Sequence, residues 1–117
     1  MPATLRLSKH AAIQRGVAVV GSTTIDRNVI GRVTFMKIGG VTTYAGLTYR
    51  RHGLPTWVVS RVAHAETWIL KRLAAEGIQV SESPAETTTR FVNRVRAGRR
   101  HQVITSIAPS VNYSQLA

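Results

Sequence analysis

Apolar and polar positions alternate along the chain in short blocks, and the blocks predict its elements. Gly16-Val17-Ala18-Val19-Val20-Gly21 is a continuous apolar run bounded by glycines, the pattern of a buried strand in a parallel sheet. Between Ile25 and Ile38, the segments Asn28-Val29-Ile30 and Val33-Thr34-Phe35-Met36 flank Gly31 and read as strand, turn, strand. Gly39-Gly40 opens a predicted helix over about 41–52. Val41, Tyr44, Ala45 and Thr48 fall at helical spacing there, and Ala45-Gly46 permits close packing on a sheet. Gly53-Leu54 supplies a C-terminal stop, with Pro55 behind it. Trp57-Val58-Val59-Ser60 is the next predicted buried strand. A second helix is predicted over about 65–76, where Ala65, Trp68, Ile69, Arg72 and Leu73 keep the 3.6 period and Leu70 widens the apolar face. Gly77-Ile78 repeats the stop, and Ile78-Gln79-Val80-Ser81 follows as a short strand.

The period then changes. After a polar linker containing Pro84, residues 87–96 alternate two by two, with Thr89, Phe91, Asn93 and Val95 on one face and Thr88, Arg90, Val92 and Arg94 on the other. Ala97-Gly98 makes a turn and residues 100–105 return as the second arm of a hairpin. Neither arm is strongly apolar on both faces, so this hairpin is expected outside the main sheet, beside the one at 27–37. The tail from Ile107 to Ala117 predicts no element. Strand–helix–strand–helix–strand in the middle of the chain gives the fold class: α/β, a mostly parallel sheet with flanking helices plus a small β lid of two hairpins.

Composition narrows the chemistry. With 117 residues there is room for one domain and a real core. The absence of cysteine removes disulfides, thiolate metal sites and cysteine nucleophiles, and His10, His52, His64 and His101 lack ligand spacing, so no metal site is expected. No apolar run has the roughly 20 residues of a membrane helix. The formal charge of +11 comes mostly from arginine, thirteen of the sixteen basic residues, spread from Arg6 to Arg100. Such a scatter predicts non-specific attraction to polyanions and no specific nucleic-acid site. Met1 to Arg15, polar and basic, is expected to be a flexible extension with some transit-peptide character, ahead of a partial α/β domain over 16–117. A cytoplasmic location is expected.

Several residues combine into a more specific pattern. The strand Val17-Ala18-Val19-Val20-Gly21-Ser22 runs into Thr24 and Asp26, the Gly39-Gly40 pair opens a helix thirteen residues later, and Thr88-Thr89-Arg90-Phe91-Val92-Asn93 begins the second hairpin. From about Gly16 to Ala108, and above all in GGVTTYAGLTYRRHGLPTWVVSRV (Gly39 to Val62), the chain resembles the N-terminal part of the ribokinase-like, or PfkB-type, sugar and nucleoside kinases. The resemblance implies that the hairpins at 27–37 and 87–105 are a lid over the substrate and a source of dimer contacts. It implies that Asp26 binds substrate hydroxyls, with Thr24 on the same side, and that Gly39 and Gly40 let the backbone approach the sugar. A carboxylate, a double acceptor, suits vicinal hydroxyls in any case, and Asp26 is the chain's single aspartate. A surface-turn role for Asp26 and a purely structural one for the glycines stay open. Arg90 is a further substrate candidate against a surface role. Tyr44 stands where many of these kinases carry a sugar-contacting asparagine, and either stacks on a ligand ring or packs on the sheet. Val62-Ala63-His64-Ala65-Glu66 departs from the family's Gly-Asp turn.

The family's Gly-Ala-Gly-Asp stretch, which stabilises developing charge and supplies the base, has no counterpart, and no phosphate-binding G-x-x-x-x-G-K-[ST] loop occurs. No catalytic residue is therefore assigned. ATP and Mg are expected for a complete family enzyme and neither is expected to bind well to this chain alone. The expectation is the substrate-side portion of such a kinase, from a truncated or split gene. A catalytically inactive ligand-binding or dimerisation remnant and a basic nucleic-acid-binding domain are the alternatives. Expected partners are a sugar or nucleoside, a second copy through lid strands or an open sheet edge, and a chain supplying the C-terminal half.

Overall fold

The computed structural model describes residues 15–116, so the predicted extension over 1–15 lies, but for Arg15, outside the described residues. The elements follow in the order β1 (Val17–Val20), β2 (Thr24–Ile30), β3 (Val33–Gly39), α1 (Val41–Arg51), β4 (Thr56–Ser60), α2 (Trp68–Ala74), β5 (Gln79–Glu82), β6 (Thr89–Arg96), β7 (Arg99–Ser106) and the single-turn α3 (Tyr113–Leu116). They build two sheets. A parallel sheet of order β1-β4-β5 forms the body and a mixed sheet of order β3-β2-β6-β7 forms the lid. The α/β class is as expected, and the two predicted hairpins do stand together outside the body, joined by parallel pairing of β2 with β6.

Inward-facing Val19 and Val58, adjacent in the β1–β4 register, share one buried cluster with Val62, Leu70, Leu73 and Ile78. Ala45 and Leu47 of α1 pack against the same cluster, so both helices cover one face of the body sheet. Both helices end at the predicted stops. Gly53 N–H donates to Arg50 O at 3.0 Å and Leu54 N–H to Tyr49 O at 3.2 Å, and Gly77 and Ile78 repeat the pair of bonds after α2.

Four local expectations are corrected. Only Val19 of the β1 run is buried and Val20 is 48% exposed, because β1 is an edge strand of its sheet rather than an interior one. The buried face of α1 is Thr42, Thr43 and Gly46, while Val41, Tyr44 and Thr48 are exposed. Hydropathy misjudged this helix because its threonines satisfy their hydroxyls on nearby carbonyls, which makes them good interior residues. Gly46 does permit the expected close approach: a Cβ there would lie 3.2 Å from Val58 Cγ2. The second helix is shorter than predicted, with a 3₁₀ turn over His64–Glu66 before it. It buries Ile69, Leu70 and Leu73, leaving Trp68, Ala65 and Arg72 exposed. The tail, finally, contains α3, held by Gln115 Nε2 donating to the carbonyls of Ser60 (3.0 Å) and Ser81 (3.2 Å).

The charge is also less diffuse in space than along the chain. The two lid hairpins carry Arg27, Arg32, Lys37, Arg90, Arg94, Arg96, Arg99 and Arg100 against a single acid, Asp26. Strand alternation puts Arg27, Arg94, Arg96, Arg99 and His101, all exposed, on the face opposite Asp26.

Candidate functional site

Past Val20 the chain turns through Gly21-Ser22-Thr23 into β2, where Thr24 and Asp26 lie two residues apart and so on one face of the lid. Thr24 Oγ1 donates to Asp26 Oδ1 at 2.8 Å. The antiparallel return of β3 sets Lys37 opposite Asp26 and Gly39 opposite Thr24. A Cβ on Gly39 would overlap Asp26 Oδ2 and lie 3.0 Å from Thr24 Oγ1, so the absent side chain is what leaves room for the carboxylate. Gly40 has φ +88°, a left-handed backbone, and a Cβ there would overlap the Ser22 carbonyl oxygen. Thr24, Asp26, Gly39 and Gly40 are thus brought together. The glycines serve close approach inside the protein, whatever they do for a ligand.

Buried hydroxyls hold this corner. Thr42 Oγ1 donates to the Ser22 carbonyl at 2.9 Å and touches the Thr23 hydroxyl. Thr23 Oγ1 donates to Ser60 Oγ at 2.8 Å, and Ser60 Oγ to the Gly21 carbonyl at 2.7 Å. Thr23, Thr42 and Ser60 are all fully buried, so each of these bonds replaces one to water and losing it leaves a buried orphan. Thr43 Oγ1 adds a bond to the Gly39 carbonyl at 2.8 Å. The ends of β1 and β4, the start of α1 and the Gly39-Gly40 pair form one braced unit under Asp26.

Tyr44 reaches the same neighbourhood indirectly. Its half-exposed ring does not pack beneath the sheet and instead faces Lys37 Nζ, 5.4 Å from the ring centroid. Arg90 does not join the group. It lies beside Ile25 in the β2–β6 register, on the opposite lid face, and is ion-paired to Glu66 of the 3₁₀ turn. The period of two along β2 and β6 excludes it from the Asp26 face, where its neighbours Thr89 and Phe91 belong. With Glu66 it lines an open groove of about 700 Å³ between lid and helices, floored by Ile25, Ile38, Leu47 and Ile69.

The same alternation places residues near Asp26 that were not singled out. Asn28, two beyond Asp26, is opposite Asn93, which is opposite Gln102. Asn93 Nδ2 donates to Asn28 Oδ1 at 3.0 Å and Asn93 Oδ1 accepts from Gln102 Nε2 at 2.9 Å. Stepping by two from Asp26 and from Phe91 would have reached them.

No cluster of three His, Cys, Asp or Glu side chains occurs among the described residues, and the Thr42 N–H at the start of α1 is given to the Ser22 carbonyl at 3.3 Å. Among them, too, no helix is long and apolar enough to cross a membrane.

No protein-family model matches the sequence, and no curated protein matches it at a significant level. Solved structures do match. A pyrophosphate-dependent kinase in the ribokinase family, complexed with a pyrophosphate analog and myo-inositol, superposes with a TM-score of 0.75 at 22% identity, over 85% of this chain and 35% of that one. A sugar kinase from Pyrococcus horikoshii gives 0.68 at 15% identity, over 83% and 40%. Ribokinase from Cryptococcus neoformans var. grubii serotype A, in complex with ADP, gives 0.61 at 19%, over 74% and 33%. The fold is thus a partial ribokinase-like fold, as the residues from Gly16 to Ala108 implied. The chain spans about a third of the length of these kinases.

Proposed function

We propose that this chain is the substrate side of a ribokinase-type kinase, binding the sugar or nucleoside whose hydroxyl is phosphorylated. In this reading ATP, Mg and the general base are held by residues outside it, and the chain by itself transfers no phosphoryl group. The convergence of Thr24, Asp26 and the Gly39-Gly40 pair on one braced corner carries the proposal. An ionised carboxylate accepts from two vicinal hydroxyls at once, and Thr24 holds Oδ1 so that Oδ2 stays directed along the Gly39 gap. Fixing the acceptor hydroxyl in this way supplies positioning, one of the two things phosphoryl transfer asks of a protein beside electrostatic stabilisation. Residues 16–117 act as one partial domain in the cytoplasm.

The test is thermal unfolding of the purified chain with sugars, cyclitols, nucleosides and ATP. A ligand at a hundredfold excess over its Kd stabilises by about 2.7 kcal/mol, roughly 10 °C for a chain of this size. A shift with one sugar or nucleoside, none with ATP, and loss of the shift in Asp26→Ala are expected. A shift that survives Asp26→Ala sinks the assignment of the site.

Self-association belongs to the same proposal. Val20 is half exposed on the edge strand β1, and Ile30, Val33, Phe35 and Ile104 are exposed on the Asp26 face of the lid. Unpaired strand edges beside apolar surface favour pairing with another chain. Sedimentation equilibrium is expected to give a mass that rises with concentration, and a monomer mass at every concentration would contradict this.

A further inference from the structure

The arginines fall into two groups. Those beside the body are used by the fold: Arg90 is ion-paired to Glu66, Arg51 to Glu76, and Arg61 donates to the Ser83 and Pro84 carbonyls at 2.9 and 3.2 Å. Those toward the tip of the lid are not. Arg27 on β2, Arg94 and Arg96 on β6 and Arg99 on β7 share the lid face opposite Asp26 and are exposed. Among the described residues, the ion pairs are those of Arg51 and Arg90 and take up none of these four. His101 lies on the same face, and Arg32 stands in the β2–β3 turn at the same end.

Strand pairing makes this arrangement costly. Arg96 is directly opposite Arg99, and Arg94 is two residues, about 7 Å, from Arg96 along β6. Like charges in facing positions destabilise a sheet, and the single acid of the lid strands, Asp26, is on the other face. The two hairpin turns also leave an open notch of about 350 Å³, lined by Val29, Gly31, Arg94, Arg96 and Ala97, so two of the arginines flank a concave surface.

A partner that neutralises several guanidiniums at strand spacing is a polyanion. Its kind follows from what else the face carries. No Phe, Tyr or Trp stands on it, so it offers neither stacking platforms for unpaired bases nor the aromatic anchors of a membrane surface. The exposed apolar groups Ile30, Val33, Phe35 and Ile104 are on the Asp26 face instead. A row of guanidiniums without aromatics suits a duplex, whose phosphates are dense, regular and turned outward. We infer that Arg27, Arg94, Arg96 and Arg99 form a docking surface for double-stranded nucleic acid, held through its phosphates with no reading of sequence. The surface lies opposite the Asp26 face and does not depend on the proposed function.

The test is fluorescence anisotropy of short labelled DNA duplexes of two unrelated sequences, titrated with the full chain over a range of salt. Contact with about three or four phosphates gives the logarithm of the association constant a slope of about −3 against log salt. Arg94→Gln combined with Arg96→Gln is expected to reduce that slope by about 2 and to weaken binding at least about tenfold at low salt. Lys71→Gln combined with Arg72→Gln removes the same charge from exposed positions of α2 and is expected to leave the slope unchanged. The lid variant should unfold at the wild-type midpoint or above it, because repulsion on the sheet is relieved, and this separates lost binding from lost fold. Equal losses in the two double variants, no binding at low salt, tighter binding of a single strand than of the duplex, or preference for one sequence would each overturn the surface. So would binding to phosphatidylserine vesicles that depends on Arg94 and Arg96 where the duplex does not bind.

Discussion

Gly40→Ala is expected to cost about 3 kcal/mol or more and to abolish any ligand binding that depends on Asp26. An alanine held at φ +88° pays about 1–2 kcal/mol for the left-handed backbone alone. The new Cβ also meets backbone on every side: the Ser22 carbonyl oxygen in overlap, the Ser22 carbonyl carbon at 3.0 Å and Thr23 Cα at 3.2 Å. The Ser22 carbonyl has little freedom to retreat, since it accepts from both the Thr42 N–H and Thr42 Oγ1. Moving it breaks buried hydrogen bonds, each worth about 1 kcal/mol or more when one partner is left unpaired. Gly31→Ala separates the two costs, because Gly31 has φ +60° and nothing within 4 Å of its would-be Cβ. Urea denaturation should show a much larger fall in midpoint for Gly40→Ala than for Gly31→Ala. Equal falls would mean that the Ser22 corner yields and does not brace the site.

That corner also marks where the sequence was readable and where it was not. Strand and helix positions followed from period and from glycine stops, because Gly53-Leu54 and Gly77-Ile78 terminate helices by local backbone chemistry that needs no tertiary partner. The faces of the lid strands followed as well, since alternation is fixed once a strand is assigned, and Asp26, Thr24 and Gly39 met as expected. Burial did not follow. Val41 and Tyr44 look apolar, yet they sit over the lid junction, while Thr42 and Thr43 go inside because carbonyls of Ser22 and Gly39 await their hydroxyls. Those acceptors lie in other elements, beyond what a helical period can register. Val20 was misjudged for the related reason that a strand's place within its sheet is set by topology, not by its own sequence. Arg90 is the opposite case: its face is legible from the period of two, but its candidacy rests on projecting from the lid toward a ligand, and the structure ties it to Glu66.

The second large effect concerns how thin the body is. The radius of gyration is 16.0 Å, against about 13 Å for a compact domain of this length, because the lid projects as a sheet with both faces largely open. Most apolar stabilisation therefore comes from one cluster, in which Leu70 is 1% exposed between α2 and the β1-β4-β5 sheet. Leu70→Ala removes three carbons from a site walled by Val58, Val62, Leu73 and Ile78, whose own backbones are fixed in β4, α2 and the turns beside them. Incomplete collapse around the hole gives a cost of about 3 kcal/mol, a large share of the total stability of a chain this size. Calorimetry is expected to show the unfolding midpoint lowered by about 10–15 °C. Ile104→Ala, which removes a similar volume from a lid residue that is 52% exposed, should lower it by less than about 3 °C. Hydrogen exchange distinguishes the two further. Leu70→Ala should release the amides of β4 and β5 together with those of α2, because they share the weakened cluster. If Ile104→Ala proves as costly as Leu70→Ala, the lid is buried in solution against another chain, and the open face seen in the monomer is an interface.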